Sequence, residues 1–139
     1  MKRNIFAVLA LIVVFAIGCK DDDDEPQPEP EVKYAVTYKV NVSGGEDLTV
    51  SFSQKDNQIN QLSGIVTPWE QKLGEFSSGD SVIFDMSFVT IKNQQVSYNY
   101  SIDIEKNNGD YLTGNQGSQT ISEADTSVII NRGWGYKIP

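Results

Sequence analysis

Few residue types in this chain can carry chemistry. It holds no histidine and a single cysteine, Cys19. Without histidine the usual general base near neutral pH is gone, and with it any Ser/His or Cys/His nucleophile pair. A zinc or copper site would rest on carboxylates alone, which suit harder ions. Asp103 and Glu105 lie two apart and so share one face of a strand. A carboxylate-dependent glycan hydrolase would need two such acids about 5–10 Å apart; the plainer reading is the solvated side of that strand. Asn107-Asn108-Gly109-Asp110 is a polar turn without the spread of ligands found in a calcium loop. No metal and no cofactor is implied. The remaining candidates bind rather than react: Trp69, after Pro68 in a bend, and Trp134 and Tyr136 in Arg132-Gly133-Trp134-Gly135-Tyr136. Exposed rings on loops can hold sugars or protein partners. The same rings also suit a plain structural role, Trp69 plugging a sandwich edge and Trp134 capping it as the terminus docks.

Cys19 stands out by its setting. Lys2 and Arg3 precede 13 unbroken apolar residues, 5–17, then Gly18. A secretory signal uses about 7–15 apolar residues and a membrane-spanning helix roughly 20. The segment therefore reads as a signal peptide over residues 1–18. After Cys19 come Lys20, Asp21, Asp22, Asp23, Asp24 and Glu25, then Pro26, Pro28 and Pro30 alternating with Gln and Glu. Blocks of like charge stay solvated, and alternating prolines favour extended polyproline-like backbone. At about 3.1 Å per residue, the 13 residues 20–32 reach on the order of 40 Å. Residues 19–32 are thus expected to be a disordered tether, which holds seven acids and one lysine. The body, 33–139, carries 12 acids against 8 bases, a net charge of −4. That balance suits a solubilised surface and argues against nucleic acid as a partner, which calls for a basic face. The body has no cysteine and must fold without disulfides.

What must position the aromatic rings is a set of strands. Tyr34, Val36, Tyr38, Val40 and Val42 alternate with polar residues; so do Leu48, Val50 and Phe52; Val82, Phe84, Met86 and Phe88; and Val96, Tyr98, Tyr100, Ile102 and Ile104. Period-two alternation of β-branched and aromatic residues marks half-buried strands. Weaker strands are expected over 59–66, 70–76 and 126–131. Ser43-Gly44-Gly45, Lys55-Asp56-Asn57-Gln58, Thr67-Pro68, Ser77-Ser78-Gly79-Asp80 and Asn107-Asn108-Gly109-Asp110 punctuate them. No segment after residue 18 keeps a helical period over three turns. The pattern predicts an all-β body, a single antiparallel β-sandwich of about seven strands, with a small barrel as the alternative.

Two resemblances add to this. Phe15-Ala16-Ile17-Gly18-Cys19 resembles a bacterial lipobox. The resemblance implies that a diacylglycerol alkylates the Cys19 sulfur, that the chain is cut before Cys19, and that the new N-terminus is acylated, with palmitate as the expected chain. The thiolate is the side-chain nucleophile suited to that alkylation, and two or more acyl chains anchor a protein stably where one does so marginally. The acidic cluster after Cys19 is similar to the surface-export signal of Bacteroidota lipoproteins, and implies an outer-membrane location facing outward. In the body, Tyr38-Lys39-Val40, Gly44-Gly45, residues 48–52, Pro68-Trp69-Glu70, Gly79-Asp80 and residues 100–104 resemble MmpS-like domains over about 70 residues. Those are small β-sandwiches, some of them accessory to membrane transporters. The chain departs from the mycobacterial members in having a lipobox in place of a spanning helix, and in lacking their paired cysteines.

The sequence thus predicts a non-catalytic, lipid-anchored lipoprotein of the cell envelope whose body is a surface binding or accessory module. Its expected partners are the membrane, through the lipid, and a glycan or an envelope protein. An accessory subunit of an envelope transport complex is the alternative.

Overall fold

The computed structural model describes residues 30–122 and 125–139. Cys19, the acidic run Lys20 to Glu25 and the leader lie outside the described residues. The compact unit spans Glu31–Pro139. It contains β1 (Tyr34–Ser43), β2 (Gly45–Ser53), β3 (Ile59–Ser63), β4 (Trp69–Phe76), β5 (Ser81–Thr90), β6 (Val96–Lys106), β7 (Tyr111–Ile121) and β8 (Ile129–Lys137), with one 3-10 turn at Lys55–Asn57. The strands form two antiparallel sheets, β4-β1-β6-β7 and β3-β2-β5-β8. The sheets pack face to face as a β-sandwich, with eight strands where the sequence led us to expect about seven.

Four strands follow the sequence pattern closely. Tyr34, Val36, Tyr38 and Val40 of β1, Val82, Phe84, Met86 and Phe88 of β5, and Val96, Tyr98, Ile102 and Ile104 of β6 are buried, as are Leu48, Val50 and Phe52 of β2. Their polar alternates point to solvent. The rings link into a chain across the core. Trp69 meets Phe52 at 5.5 Å, Phe52 meets Tyr38 at 5.4 Å, Tyr38 meets Phe84 at 5.9 Å, and Phe84 meets Tyr100 at 5.8 Å between centroids. These separations lie in the range where ring pairs add about 0.5–1.5 kcal/mol beyond their buried area. The chain alternates between the sheets, because Trp69, Tyr38 and Tyr100 belong to one and Phe52 and Phe84 to the other.

Gly44 is where the chain changes sheets. Only this residue separates β1 from β2, and it takes φ +77. A β-carbon here would run into the Gln95 carbonyl, so the corner admits glycine alone. Ser43-Gly44-Gly45 is therefore a sandwich corner between strands that do not pair with each other.

Two bulges keep apolar residues on the inner face. Tyr34 and Val36 of β1 pair with Phe76 and Leu73 of β4, so β4 carries one extra residue, and Glu75 sits at φ 67. Trp69 and Leu73 pack on the core before this point and Phe76 is fully buried after it. Strict alternation would have turned Glu75 inward and Phe76 out; the extra residue resets the phase. On β2 the register shifts between Glu46 and Thr49, with Asp47 at φ 54, and Leu48 enters the core.

The differences from expectation lie in the weaker segments. The strand expected over 59–66 stops at Ser63, and the one expected over 126–131 starts at Ile129 and runs to Lys137. β7 was not foreseen at all. It pairs with the whole length of β6, yet its inward positions, those opposite Ile104, Ile102, Tyr100 and Tyr98, are Thr113, Asn115, Gly117 and Gln119. Tyr100 explains Gly117: its ring lies where a β-carbon would stand.

Tyr38 is fully buried at the centre of the aromatic chain, and its hydroxyl donates to the Ser53 carbonyl at 3.1 Å. Ser53 Oγ in turn accepts from the Ile83 N–H at 2.7 Å. Burial raises the Tyr38 pKa above its ordinary 10.0. A raised folded pKa gives stability that is complete below the unfolded pKa and is lost as pH rises through it, because the unfolded chain sheds the proton first. Stability should therefore decline above about pH 10, with a shallower decline in Tyr38→Phe. At neutral pH that variant should lose about 1 kcal/mol, since the Ser53 carbonyl is left without its donor. Urea midpoints of both proteins between pH 8 and 11 check this.

Candidate functional site

A sandwich has two open sides, where the edge strands of its sheets face each other. Here β4 and β3 flank one side, and β7 and β8 the other. The binding candidates Trp69, Trp134 and Tyr136 lie on these edge strands. The sequence placed them on loops as exposed rings; all three are half-buried residues within strands, packed against the core. Trp69 opens β4 just after the cis Thr67-Pro68 bond, where Thr67 Oγ1 donates to the Val42 carbonyl at 2.8 Å. Its ring covers Phe52, so it plugs one side of the sandwich.

Trp134 and Tyr136 stand together on the other edge. They pair with Phe84 and Val82 of β5 and so share their inner face. Their rings are parallel, with centroids 5.9 Å apart and an interplanar angle of 0°. Gly133 and Gly135 occupy the alternate, outward positions. A β-carbon on Gly133 would collide with the Asp85 carboxylate, which lies over it. The glycines that resembled a loop thus belong to a strand whose inner face is aromatic and whose outer face is bare at Gly135 and covered by the Asp85 carboxylate at Gly133.

Arg132 completes this edge. It pairs with Met86 and therefore shares the inner face. Its Nε donates to Tyr98 Oη at 2.7 Å and its Nη2 to Gln119 Oε1 at 2.8 Å. Tyr98 Oη donates to the same Gln119 oxygen at 2.8 Å, and the guanidinium lies 5.4 Å from the Tyr98 ring centroid. The planar, multi-donor guanidinium suits this role. Arg132 so ties β8 of one sheet to β6 and β7 of the other. Sequence reasoning missed it, although Ile130, Arg132, Trp134 and Tyr136 alternate and place Arg132 in the inward phase. Further along, Asn115 shares the inner face with Ile102, and its Oδ1 is buried without a hydrogen-bond partner among the described residues.

The reactive candidates stay apart from this edge. Asp103 and Glu105 do share the outer face of β6. Glu105 pairs with Lys72 at 3.4 Å and Asp103 accepts from Ser101 Oγ at 3.4 Å. Asp103 lines a shallow depression of about 240 Å³ with Tyr111, Gly114, Asn115 and Gln116, and Glu105 is not part of it. In the turn after β6, Asn108 Nδ2 donates to Asp110 Oδ2 at 2.7 Å, and the Asp110 N–H to Asn108 Oδ1 at 3.0 Å. The two side chains are occupied with one another. Among the described residues no three His, Cys, Asp or Glu side chains gather where they could hold a metal ion. The outer faces instead form shallow polar depressions. One, of about 440 Å³, is lined by Lys39, Asn99, Ser101, Gln116 and Ser118. Another, of about 360 Å³, is lined by Thr49, Gln61, Asp85, Ser87 and Asn131.

Comparison with known families found no matching family model, and comparison with curated proteins found no matching sequence.

Trp69→Ala should cost roughly 2–3 kcal/mol by opening a cavity over Phe52, read as a lower urea midpoint. Arg132→Ala and Gln119→Ala should be non-additive. A double-mutant cycle should return a coupling of about 0.5–3 kcal/mol, and additive losses would show that the bridge between the sheets contributes nothing.

Proposed function

We propose that the chain is a non-catalytic lipoprotein of the outer membrane, lipid-anchored through Cys19, whose sandwich is a binding or accessory module presented outward. The setting of Cys19 supports the anchor: a basic start, 13 apolar residues, Gly18, then the thiol. The acidic run Lys20 to Glu25 supports surface export, and the proline-spaced tether supports a body held clear of the membrane. The observation that carries the binding role is the parallel Trp134–Tyr136 pair. It places two large, part-exposed rings on a free strand edge whose opposite face is bare at Gly135. Such an edge offers a partner both apolar area and close approach to backbone. The accessory role implied by the MmpS-like resemblance would use the same edge against an envelope protein.

Cys19→Ser should move the protein from the membrane fraction to the soluble fraction and abolish incorporation of radiolabelled palmitate. Unchanged anchoring would refute lipidation. Replacing Asp21, Asp22, Asp23, Asp24 and Glu25 with alanine should leave the protein in the membrane fraction but remove its labelling by a membrane-impermeant reagent on intact cells. Persistent labelling would refute the export role.

A further inference from the structure

The outer face of the sheet β4-β1-β6-β7 carries a set of groups that the edge pair does not use. Ile104 and Glu105 of β6 pair with Thr113 and Tyr111 of β7, so β7 holds one extra residue here. Strict alternation from the inward Thr113 would turn Tyr111 into the core and Leu112 out. The extra residue reverses this. Leu112 packs on the core, and Tyr111 stands on the outer face, 63% exposed. Bulges of this kind re-aim a side chain, often beside a functional surface. The Tyr111 side chain runs along the strand to Gly114. A β-carbon at Gly114 would meet the Ile102 carbonyl, Tyr111 Oη at 2.7 Å and Asp103 Oδ1 at 3.3 Å. Glycine at this position makes room for a tyrosine laid along the sheet, with its hydroxyl beside the Asp103 carboxylate.

Beyond Gly114 the face is polar and uncharged. Gln116 stands opposite Ser101, and Ser118 opposite Asn99. Gln116 lines both the depression of about 240 Å³ beside Tyr111 and the one of about 440 Å³ beside Asn99, so the two are continuous. At about 3.4 Å per residue, the strip from Asn99 to Asp103 runs about 14 Å along β6.

The chemistry of the strip selects its occupant. Solvated faces usually mix charges of both signs throughout. Here charge is kept to the margins: Lys39 pairs with Glu70 at 3.6 Å and Lys72 with Glu105 at 3.4 Å, while Lys106 and Asp110 lie at the turn between β6 and β7. A polyanion would meet the Asp103 carboxylate within the strip, and the lysine that lines it, Lys39, is already paired. A protein surface would find little to bury, since among the described residues Tyr111 is the only exposed large apolar side chain on these four strands. A neutral sugar chain matches both features. Its hydroxyls donate and accept, as the amides of Asn99 and Gln116 and the hydroxyls of Ser101 and Ser118 do. Its C–H face suits the electron-rich face of the Tyr111 ring.

We propose that this strip binds a neutral, extended oligosaccharide, with Tyr111 stacked on one sugar ring and Gln116, Ser101, Asn99 and Ser118 hydrogen-bonded to the hydroxyls of its neighbour. The inference names a ligand for the binding module proposed above and rests on that reading. It leaves the Trp134–Tyr136 edge free for a protein partner.

The test uses the full chain, purified in detergent, and four hexasaccharides. Three are neutral and β-1,4-linked, built of glucose, mannose or N-acetylglucosamine; the fourth is anionic, built of galacturonic acid. Binding is followed by calorimetry and by amide chemical shifts. At least one neutral probe should bind and shift amides of β6 and β7, and the anionic probe should bind about tenfold more weakly or not at all. Tyr111→Ala should weaken the neutral probe about tenfold, and Tyr111→Phe by less than about threefold, because the ring makes the contact. Gln116→Ala should weaken it about fivefold. Gln61→Ala, on the other sheet, should change nothing. Melting temperatures of all four variants should match the parent; if that of Tyr111→Ala falls, Gln116→Ala decides. No binding of any neutral probe, shifts confined to β8 or to the other sheet, equal binding of the anionic probe, or full binding by Gln116→Ala would overturn the proposal. The membrane-fraction result for Cys19→Ser is independent of these titrations, so failure of the sugar site and failure of the anchored-module reading are told apart.

Discussion

The sandwich depends on one constraint: its sheets must be held in register by rings that reach across the core from alternate sides. Tyr38 is the pivot, in contact with both Phe52 and Phe84. Its hydroxyl cannot face an apolar core unpaired, and the end of β2 supplies the Ser53 carbonyl. That one bond fixes β1 against β2 although the two strands belong to different sheets. Ser53 then fixes β2 against β5. The buried polar groups thus form a short relay, and each link is satisfied by the next.

From this centre the open sides close in different ways. On one side a single large ring, Trp69, covers Phe52. On the other, closure is partly polar: the guanidinium of Arg132 spans from β8 to Tyr98 and Gln119. A cation there, without an acid partner among the described residues, keeps the edge hydrated more readily than an aliphatic plug would, and leaves Trp134 and Tyr136 part-exposed beside it.

How far the sequence could be read varies with how unlike the two faces of a strand are. β1, β2, β5 and β6 separate apolar from polar residues cleanly, and their buried sets were legible residue by residue. β7 was illegible because its inward positions are Thr113, Asn115, Gly117 and Gln119; the apolar filler on that side is Tyr100, which leans over from β6. β8 was cut short because Gly133 and Gly135 read as a loop, although their partners on β5 show them to be strand positions. The bulge at Glu75 was hidden for a related reason, since a one-residue change of phase looks like noise in a short segment. The binding candidates were found as residue types but misplaced as loops. Cys19 and the acidic run were legible only as a local pattern, by resemblance, and the body's fold bears on neither.

The position of β1 has a mechanical consequence. Residues on the N-terminal side enter the fold directly through this strand, which lies inside its sheet with β4 on one flank and β6 on the other. β1 is matched along its whole length by β6, from Tyr34 opposite Lys106 to Ser43 opposite Ser97. A pull applied at Lys33 while the rest of the body is held back acts along the strand and not across it. The hydrogen bonds of both ladders then bear the load together in shear and cannot be opened one at a time. Resistance to such a force is set by the rate of unfolding and not by equilibrium stability.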